Sequence, residues 1–299
     1  MRRKLTVGSA IFNIINYTFF GLFTIICIFP FYYILINSIS DNSLVSMGRI
    51  MLYPRGIHIE NYLSAFKIKN LPQAAWISLT RTVLGTLISI ISASFPGYTL
   101  SKLEFWGRKF WYRFIVATMY FSAGIIPVYV TYKNLGLINN YLVYILPALV
   151  SPFNLILCKT YIESIPPSLE ESAEIDGAGY LRRYTQIIFP LIKPIIATIA
   201  VFAAVGQWNS FMDTVLYTSR TRLFTLQYTL YLYLREASAL AEVLKTNPEA
   251  AANIDPATLL TPTSVRFTIT MLTILPILFV YPFFQKYFLK GIMIGAVKG

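Results

Sequence analysis

Long uncharged runs alternate with short charged segments along the whole chain. The first extends from Leu5 to Ser40 without a single Asp, Glu, Lys or Arg. Because about 20 apolar residues in a helix cross the ~30 Å hydrocarbon layer of a bilayer, this run predicts one membrane span. Five later runs repeat the pattern. The predicted fold class is an all-α polytopic membrane protein with six transmembrane helices, at residues 18–37, 82–101, 114–132, 139–158, 194–212 and 267–285.

The composition supports this fold class. Hydrophobic residues make up 56% of the chain and charged residues only 13%, whereas a soluble domain carries roughly 25% charged residues. The net charge of +12 is typical of loops rich in Lys and Arg that face anionic lipid. We therefore predict membrane lipid, and no nucleic acid, as a partner of these basic residues.

Basic residues in short segments predict the orientation in the membrane. They are concentrated in both terminal tails and in residues 102–113, whereas the one short segment on the opposite side carries Lys133 alone. Both termini are therefore predicted to be cytoplasmic. Residues 162–193 then form a cytoplasmic loop, and residues 41–80 and 213–266 form external loops.

The sequence contains few of the features expected of an enzyme or of an ion-coupled carrier. It contains no Gly-Lys pair, and hence no phosphate-binding P-loop. Its only histidine, His58, falls short of the three or four ligands that a zinc site needs. The predicted spans hold almost no ionisable groups, with Arg81 at the outer edge of the second span, which argues against ion coupling. A secondary carrier and a membrane-embedded enzyme stay open as alternatives.

The most polar interval between two spans is residues 162–193, called the acidic loop below. Ser168 followed by Glu171 is a capping-box pattern, which predicts the start of a helix. Gly177 or Gly179 is expected to end that helix, since glycine readily takes the left-handed conformation. A second helical segment is predicted at residues 180–189. The loop carries five acids, Glu163, Glu170, Glu171, Glu174 and Asp176.

These acids favour a protein partner over a lipid surface. Four of them lie within seven residues, and anionic headgroups would repel such a cluster. An amphipathic loop resting on the bilayer is therefore the weaker interpretation. A partner that supplies arginines fits the charge better.

Three segments carry a resemblance to a known family. Residues 171–178, ESAEIDGA, followed by Ile188 and Pro190, resemble the EAA loop of ABC importer permeases, with Ser172 where the family pattern has alanine. Residues 207–211, QWNSF, are similar to a run in the fifth span of these permeases. The tail GAVKG at residues 295–299 looks like the ending of permeases of the maltose-transporter type.

The resemblance implies a type I ABC importer permease fold in a bacterial plasma (inner) membrane and a coupling role for the acidic loop. Glu171 would pair with a basic residue of the ATP-binding subunit, although it has a competing role in the capping box. Ala173 would make a close contact and Gly177 the turn. The residues implied in coupling are Glu170, Glu171, Ala173, Asp176, Gly177, Ala178, Arg182, Pro190, Lys298 and Gly299.

The same resemblance implies the partners and the cargo. These are a second homologous permease subunit, two ATP-binding subunits, an extracytoplasmic solute-binding protein and a carbohydrate substrate. No cofactor is expected in this chain, because ATP and Mg would be bound by the partner subunit. The loop at residues 213–266 either docks the binding protein or is an ordinary solvated loop.

Residues near the end of the fifth span are candidates for the substrate path. Trp208, Asn209 and Asp213 combine an aromatic face with amide and acid groups, which suit sugar rings and hydroxyls. The competing interpretation is that Trp208 is an interfacial anchor, a common place for tryptophan in membrane proteins.

Overall fold

The computed structural model describes residues 7–68, 70–235, 263–280 and 282. Within these residues every regular element is a helix, which agrees with the predicted all-α class. Short 3₁₀ turns lie at Tyr141–Tyr144, Leu146–Ala148 and Thr221–Leu223, and a π-helical turn lies at Tyr184–Ile188. The α-helices are α1 (Val7–Ser38), α2 (Asn42–Ser46), α3 (Glu60–Lys67), α4 (Leu71–Ser101), α5 (Arg108–Tyr120), α6 (Ile125–Asn134), α7 (Pro152–Ile162), α8 (Ser168–Ile175), α9 (Tyr180–Arg183), α10 (Phe189–Leu191), α11 (Lys193–Asn209), α12 (Met212–Tyr217), α13 (226–235) and α14 (Thr263–Val280).

Three of the described helices, α1, α4 and α14, are each long and apolar enough to cross a membrane. Three further segments, each made of two helices joined at a bend, are also long and apolar enough to cross a membrane when the two helices are taken together. The bend is 116° between α5 and α6, 41° between residues 141–148 and α7, and 78° between residues 180–191 and α11. Counting each bent segment as one span gives up to six spans. The side of the membrane on which each loop and terminus lies stays a prediction.

The bends fall where the sequence interrupts helical hydrogen bonding. Gly124, at φ +82°, separates α5 from α6. Pro147 and Pro152 flank the second bend, and Pro190 and Pro194 flank the third. Proline lacks the N–H that continues a helix, and the predicted spans at 114–132 and 139–158 are each broken in the structure.

Helix α4 begins at Leu71, whereas the predicted span begins at residue 82. Pro72 lies in the first turn of α4, where its missing N–H costs nothing and its fixed φ suits a helix. Arg81 therefore lies inside the helix, 2% exposed. Where Arg81 lies relative to the membrane surface stays a prediction.

The chain divides into two compact units. In the first, which includes residues 7–68, Ile36, Val45 and Ile50 form a small core with Phe267. Asp41 caps α2, accepting hydrogen bonds from the N–H groups of Ser43 and Leu44. Most large apolar side chains of α1 are exposed, as expected for a helix that faces lipid.

In the second unit, which includes residues 70–231, α4 packs against α7 and α11. Gly97 permits close approach of α4 and α7, since a Cβ there would lie 3.2 Å from the Lys159 backbone nitrogen. The core of this packing extends from α4 into the acidic loop. Its buried members are Ala93, Tyr98, Cys158, Ile162, Ile188, Ile192, Ile195 and Ile199.

Candidate functional site

Helix α8 forms within the acidic loop, but it does not begin as predicted. The capping residue is Pro167, and no side chain caps the helix. Pro167 has helical angles, φ −58° and ψ −30°, and its carbonyl accepts the Glu171 backbone N–H at 3.1 Å. The predicted capping box is therefore wrong, because Ser168 is already inside the helix and the Glu171 side chain takes no part in a cap.

The C-terminal end of α8 follows the prediction for Gly177. Gly177 has φ +78°, and its N–H donates to the Glu174 carbonyl at 2.9 Å. The Ala178 N–H donates to the Ala173 carbonyl, also at 2.9 Å. These two bonds form a Schellman motif, which needs a left-handed residue where glycine stands. Gly179 is extended at φ −67° and does not serve as the turn.

Three of the five acids are paired within this chain. The Glu170 carboxylate accepts a hydrogen bond from the Tyr98 hydroxyl at 2.5 Å and forms an ion pair with Lys102. Glu174 pairs with Arg183 at 2.7 Å. These contacts fasten one face of α8 to the end of α4 and to α9, since residues four apart share a helix face.

The third paired acid, Glu163, lies just before α8. It forms ion pairs with Arg108 and, at 2.7 Å, with Lys159. The Arg108 guanidinium also donates to the Leu100 carbonyl at 2.8 Å, which satisfies a backbone group at the C-terminal end of α4. The start of α5 is thereby tied to both α4 and α7.

Aromatic contacts complete the attachment. The Arg183 guanidinium lies 4.3 Å from the centre of the Tyr180 ring, and the Tyr180 hydroxyl donates to Glu104 at 3.1 Å. The pKa of the Glu104 carboxyl is lowered, chiefly by a backbone hydrogen bond and then by the Tyr180 hydroxyl and the nearby Lys102 charge. These contacts hold the acidic loop against the C-terminal end of α4.

Two acids of the loop, Glu171 and Asp176, are both exposed and unpaired, since neither side chain makes a hydrogen bond or ion pair within the described residues. Asp176 is the C-terminal cap of α8, where the helix dipole disfavours a negative charge. Local stability therefore does not explain why an acid stands there, whereas a basic partner would.

The other residues implied in coupling lie in different settings. Ala173 and Ala178 are partly buried, and Pro190 is exposed in α10. The Arg182 guanidinium donates to the Gln186 side chain at 3.0 Å. Lys298 and Gly299 lie outside the described residues.

A cavity of about 810 Å³ lies between α4, α7, α11 and α12. Its wall combines hydroxyl and amide groups with aromatic rings, including Tyr132, Tyr144 and Tyr217. Arg81 and Asp213 are the charged residues in the lining, within the part of the chain that the structure describes. They form an ion pair at 2.5 Å.

Arg81 connects three segments that are distant in sequence. Its guanidinium donates to the Gln207 side-chain oxygen at 2.9 and 3.0 Å, to the Ser210 carbonyl at 3.3 Å and to Asp213. The Ser210 carbonyl follows the end of α11, so Arg81 supplies the donor that the broken helix lacks. The Tyr144 ring covers the guanidinium at 4.4 Å.

The three residues predicted for the substrate path are not brought together. Asp213 lines the cavity. Asn209 accepts a hydrogen bond from Gln227 at 3.0 Å, and Trp208 lines a separate, smaller pocket with Thr82 and Pro276. Sequence reasoning missed Arg81 in this cavity. A charge beside a long apolar run was the available signal, because such a group needs a counter-charge.

The all-helical fold, the broken spans and the acidic loop define a membrane permease. The chain belongs to the family described as the binding-protein-dependent transport system inner membrane component, whose model matches residues 85–294. This confirms the predicted resemblance, the type I permease fold and the location in a bacterial inner membrane.

Two curated relatives from Bacillus subtilis (strain 168) match nearly end to end. Protein LplC is 34% identical over 98% of this chain and 97% of its own. The polygalacturonan/rhamnogalacturonan transport system permease protein YtcP is 33% identical over 97% and 99%. A crystal structure of a bacterial ABC transporter involved in the import of the acidic polysaccharide alginate contains a chain with TM-score 0.83 and 31% identity. That match covers 96% of this chain and 99% of the other.

Proposed function

We propose that this chain is the permease subunit of an ATP-driven, binding-protein-dependent importer of oligosaccharides or polysaccharide fragments. The names of the relatives support the cargo class, since they specify polygalacturonan/rhamnogalacturonan and alginate. The family supports the transport role. The cavity described above gives such a cargo hydroxyl, amide and aromatic groups to contact.

The acidic loop couples transport to ATP hydrolysis. The observation that carries this proposal is the division of its acids, because three form ion pairs within this chain while Glu171 and Asp176 are exposed without a partner among the described residues. A basic cleft on an ATP-binding subunit would meet those two carboxylates. Movement of that subunit would then pass directly into α4 through the contacts of Glu170, Lys102 and Tyr98.

The assembled transporter is proposed to contain a second homologous permease subunit and two ATP-binding subunits, and to receive cargo from an extracytoplasmic solute-binding protein. ATP and Mg would be bound by the ATP-binding subunits, so this chain needs no cofactor and catalyses no reaction itself. Residues 213–266 remain a candidate docking segment for the binding protein.

The two alternatives predict different behaviour. A secondary carrier would use an ion gradient, and a membrane-embedded enzyme would convert its substrate. Arg81 and Asp213 are ionisable, but each neutralises the other, which is the usual arrangement for a structural ion pair in a membrane. The family membership favours the importer.

Reconstitution of the complete transporter tests the proposal. Proteoliposomes containing both permeases and the ATP-binding subunits should take up a labelled oligosaccharide only with binding protein outside and ATP inside. Substitution Glu171→Lys should abolish uptake and cargo-stimulated ATP hydrolysis while membrane insertion is unchanged. Uptake by this chain without an ATP-binding subunit would overturn the proposal.

A further inference from the structure

We propose that Asp213 accepts hydrogen bonds from sugar hydroxyl groups in the cavity, and that Arg81 is the positioning residue that holds it. Arg81 is thereby excluded as a receptor for a substrate carboxylate. The inference rests on the proposed function, since it takes the cargo to be an oligosaccharide. It specifies the part of the cargo that this wall recognises, namely a segment presenting hydroxyls.

The donors of Arg81 are fully engaged. A guanidinium has five N–H groups. Nε donates to the Gln207 oxygen, one terminal nitrogen donates to that oxygen and to Asp213 Oδ2, and the other donates to the Ser210 carbonyl and to Asp213 Oδ1. The Arg81 side chain is 2% exposed. No donor is left for a carboxylate entering the cavity.

Asp213 differs from Arg81 in its exposure and in its remaining hydrogen-bonding capacity. Its side chain is 20% exposed and it lines the cavity. Oδ1 accepts from Arg81 and from the Thr214 N–H at 2.9 Å, whereas Oδ2 accepts from Arg81 alone within the described residues. A carboxylate oxygen has about two acceptor sites, so Oδ2 keeps one for a hydroxyl donor.

The rest of the wall suits a neutral sugar segment. With Arg81 and Asp213 balanced, the described lining has no net charge. Hydroxyl and amide groups come from Ser89, Ser151 and Asn154. Tyr132 and Tyr217 lie with ring centres 5.0 Å apart and offer apolar surface to a sugar ring. A uronate carboxylate placed beside Asp213 would meet a like charge and no free cation.

Thiol protection in the assembled transporter, held in nanodiscs without binding protein, tests this assignment. Substitution Ala148→Cys puts a reporter on the cavity wall, in a Cys27→Ser background that removes the exposed native thiol. Maleimide labelling of this subunit is followed against two probes, galactotriose and trigalacturonate. They differ at C6, where one carries hydroxymethyl groups and the other carboxylates.

We expect galactotriose to protect the reporter, and Asp213→Asn to weaken that protection about tenfold or more, as expected for loss of a hydrogen bond to a charged group. The same variant should shift the preference toward trigalacturonate, because a negative charge has been removed. If Asp213 had a purely structural role, its substitution would not change the ratio of protection by galactotriose to protection by trigalacturonate. If Asp213→Asn does not assemble, the double variant Arg81→Gln/Asp213→Asn removes both charges together and should show the same weakening.

Equal protection in wild type and the Asp213 variants would overturn the inference, as would wild-type protection that is stronger with trigalacturonate. Absence of protection by either trisaccharide also overturns it. Failure of the proposed function is distinguished by the separate uptake assay, in which the wild-type transporter would then carry no oligosaccharide at all.

Discussion

The cavity wall and the acidic loop both bring acids next to basic residues, but they use them differently. In the cavity, Arg81 is buried and every one of its donors is bound within the chain. In the loop, Glu170 and Glu174 are bound to the chain, while Glu171 and Asp176 are not. The difference separates charges that maintain the fold from charges available to a partner.

Removal of Arg81 should have the largest effect on stability. The substitution Arg81→Met leaves Asp213 without its counter-charge and the Gln207 and Ser210 oxygens without donors. We expect a loss of about 3–5 kcal/mol in the free energy of unfolding, seen as a large fall in the melting temperature of the purified subunit. The double variant Arg81→Met/Asp213→Leu should recover much of this loss. Equal losses in the single and double variants would show that the ion pair is not the cause.

Reversal of charge at Glu171 should have the largest effect on coupling and little on stability. Because this side chain has no partner within the described residues, Glu171→Lys should leave the melting temperature of the isolated subunit unchanged. Cargo-stimulated ATP hydrolysis in the complete transporter should be lost, since a lysine would face a basic cleft. Glu171→Gln, which removes the charge without reversing it, should give an intermediate rate. Normal coupling in Glu171→Lys would assign the partner contact elsewhere.

Glu170 should behave in the opposite way. Its carboxylate is 13% exposed and paired with Lys102, so Glu170→Gln should cost about 1.5–3 kcal/mol and lower the melting temperature even without any partner subunit. Lys102→Met should cost a similar amount, and the two changes together should cost less than their sum. Strict additivity would indicate that the two side chains do not interact.

The smallest expected effect concerns the turn after α8. At Gly177, φ is +78° and a Cβ would meet nothing within 4 Å, so Gly177→Ala carries backbone strain without a clash. We expect a loss of about 1–2 kcal/mol. Gly179→Ala is the matched control, with equally open space but φ −67°. A similar change in melting temperature for both variants would contradict the assigned turn.

The sequence was most informative where local rules decide the structure. Uncharged runs located the apolar helices, and the glycine after the acidic cluster predicted the turn at residue 177. The capping box failed because Pro167 continues the helix one residue earlier than a Ser168 cap would allow. Prolines and glycines within the apolar runs mark where a helix can bend, whereas the angle of each bend depends on packing and is not encoded in local polarity.

Local rules did not predict the contacts of the charged residues. Glu170 and Glu171 are neighbours in one acidic cluster, and only packing against Tyr98 and Lys102 distinguishes them. The Arg81 guanidinium donates a hydrogen bond to Gln207, which lies 126 residues later in the chain. No local pattern specifies that contact, because it depends on how α4, α11 and α12 pack.

Cross-linking from the acidic loop tests the central claim most directly. Cysteine substitutions at Glu170, Glu171 and Asp176, each modified with a short photoactivatable reagent, are irradiated in the assembled transporter. We expect adducts with the ATP-binding subunit from positions 171 and 176, and little or none from position 170. An equal yield from position 170, or no adduct from position 171, would contradict the division of the loop into paired acids and acids available to a partner.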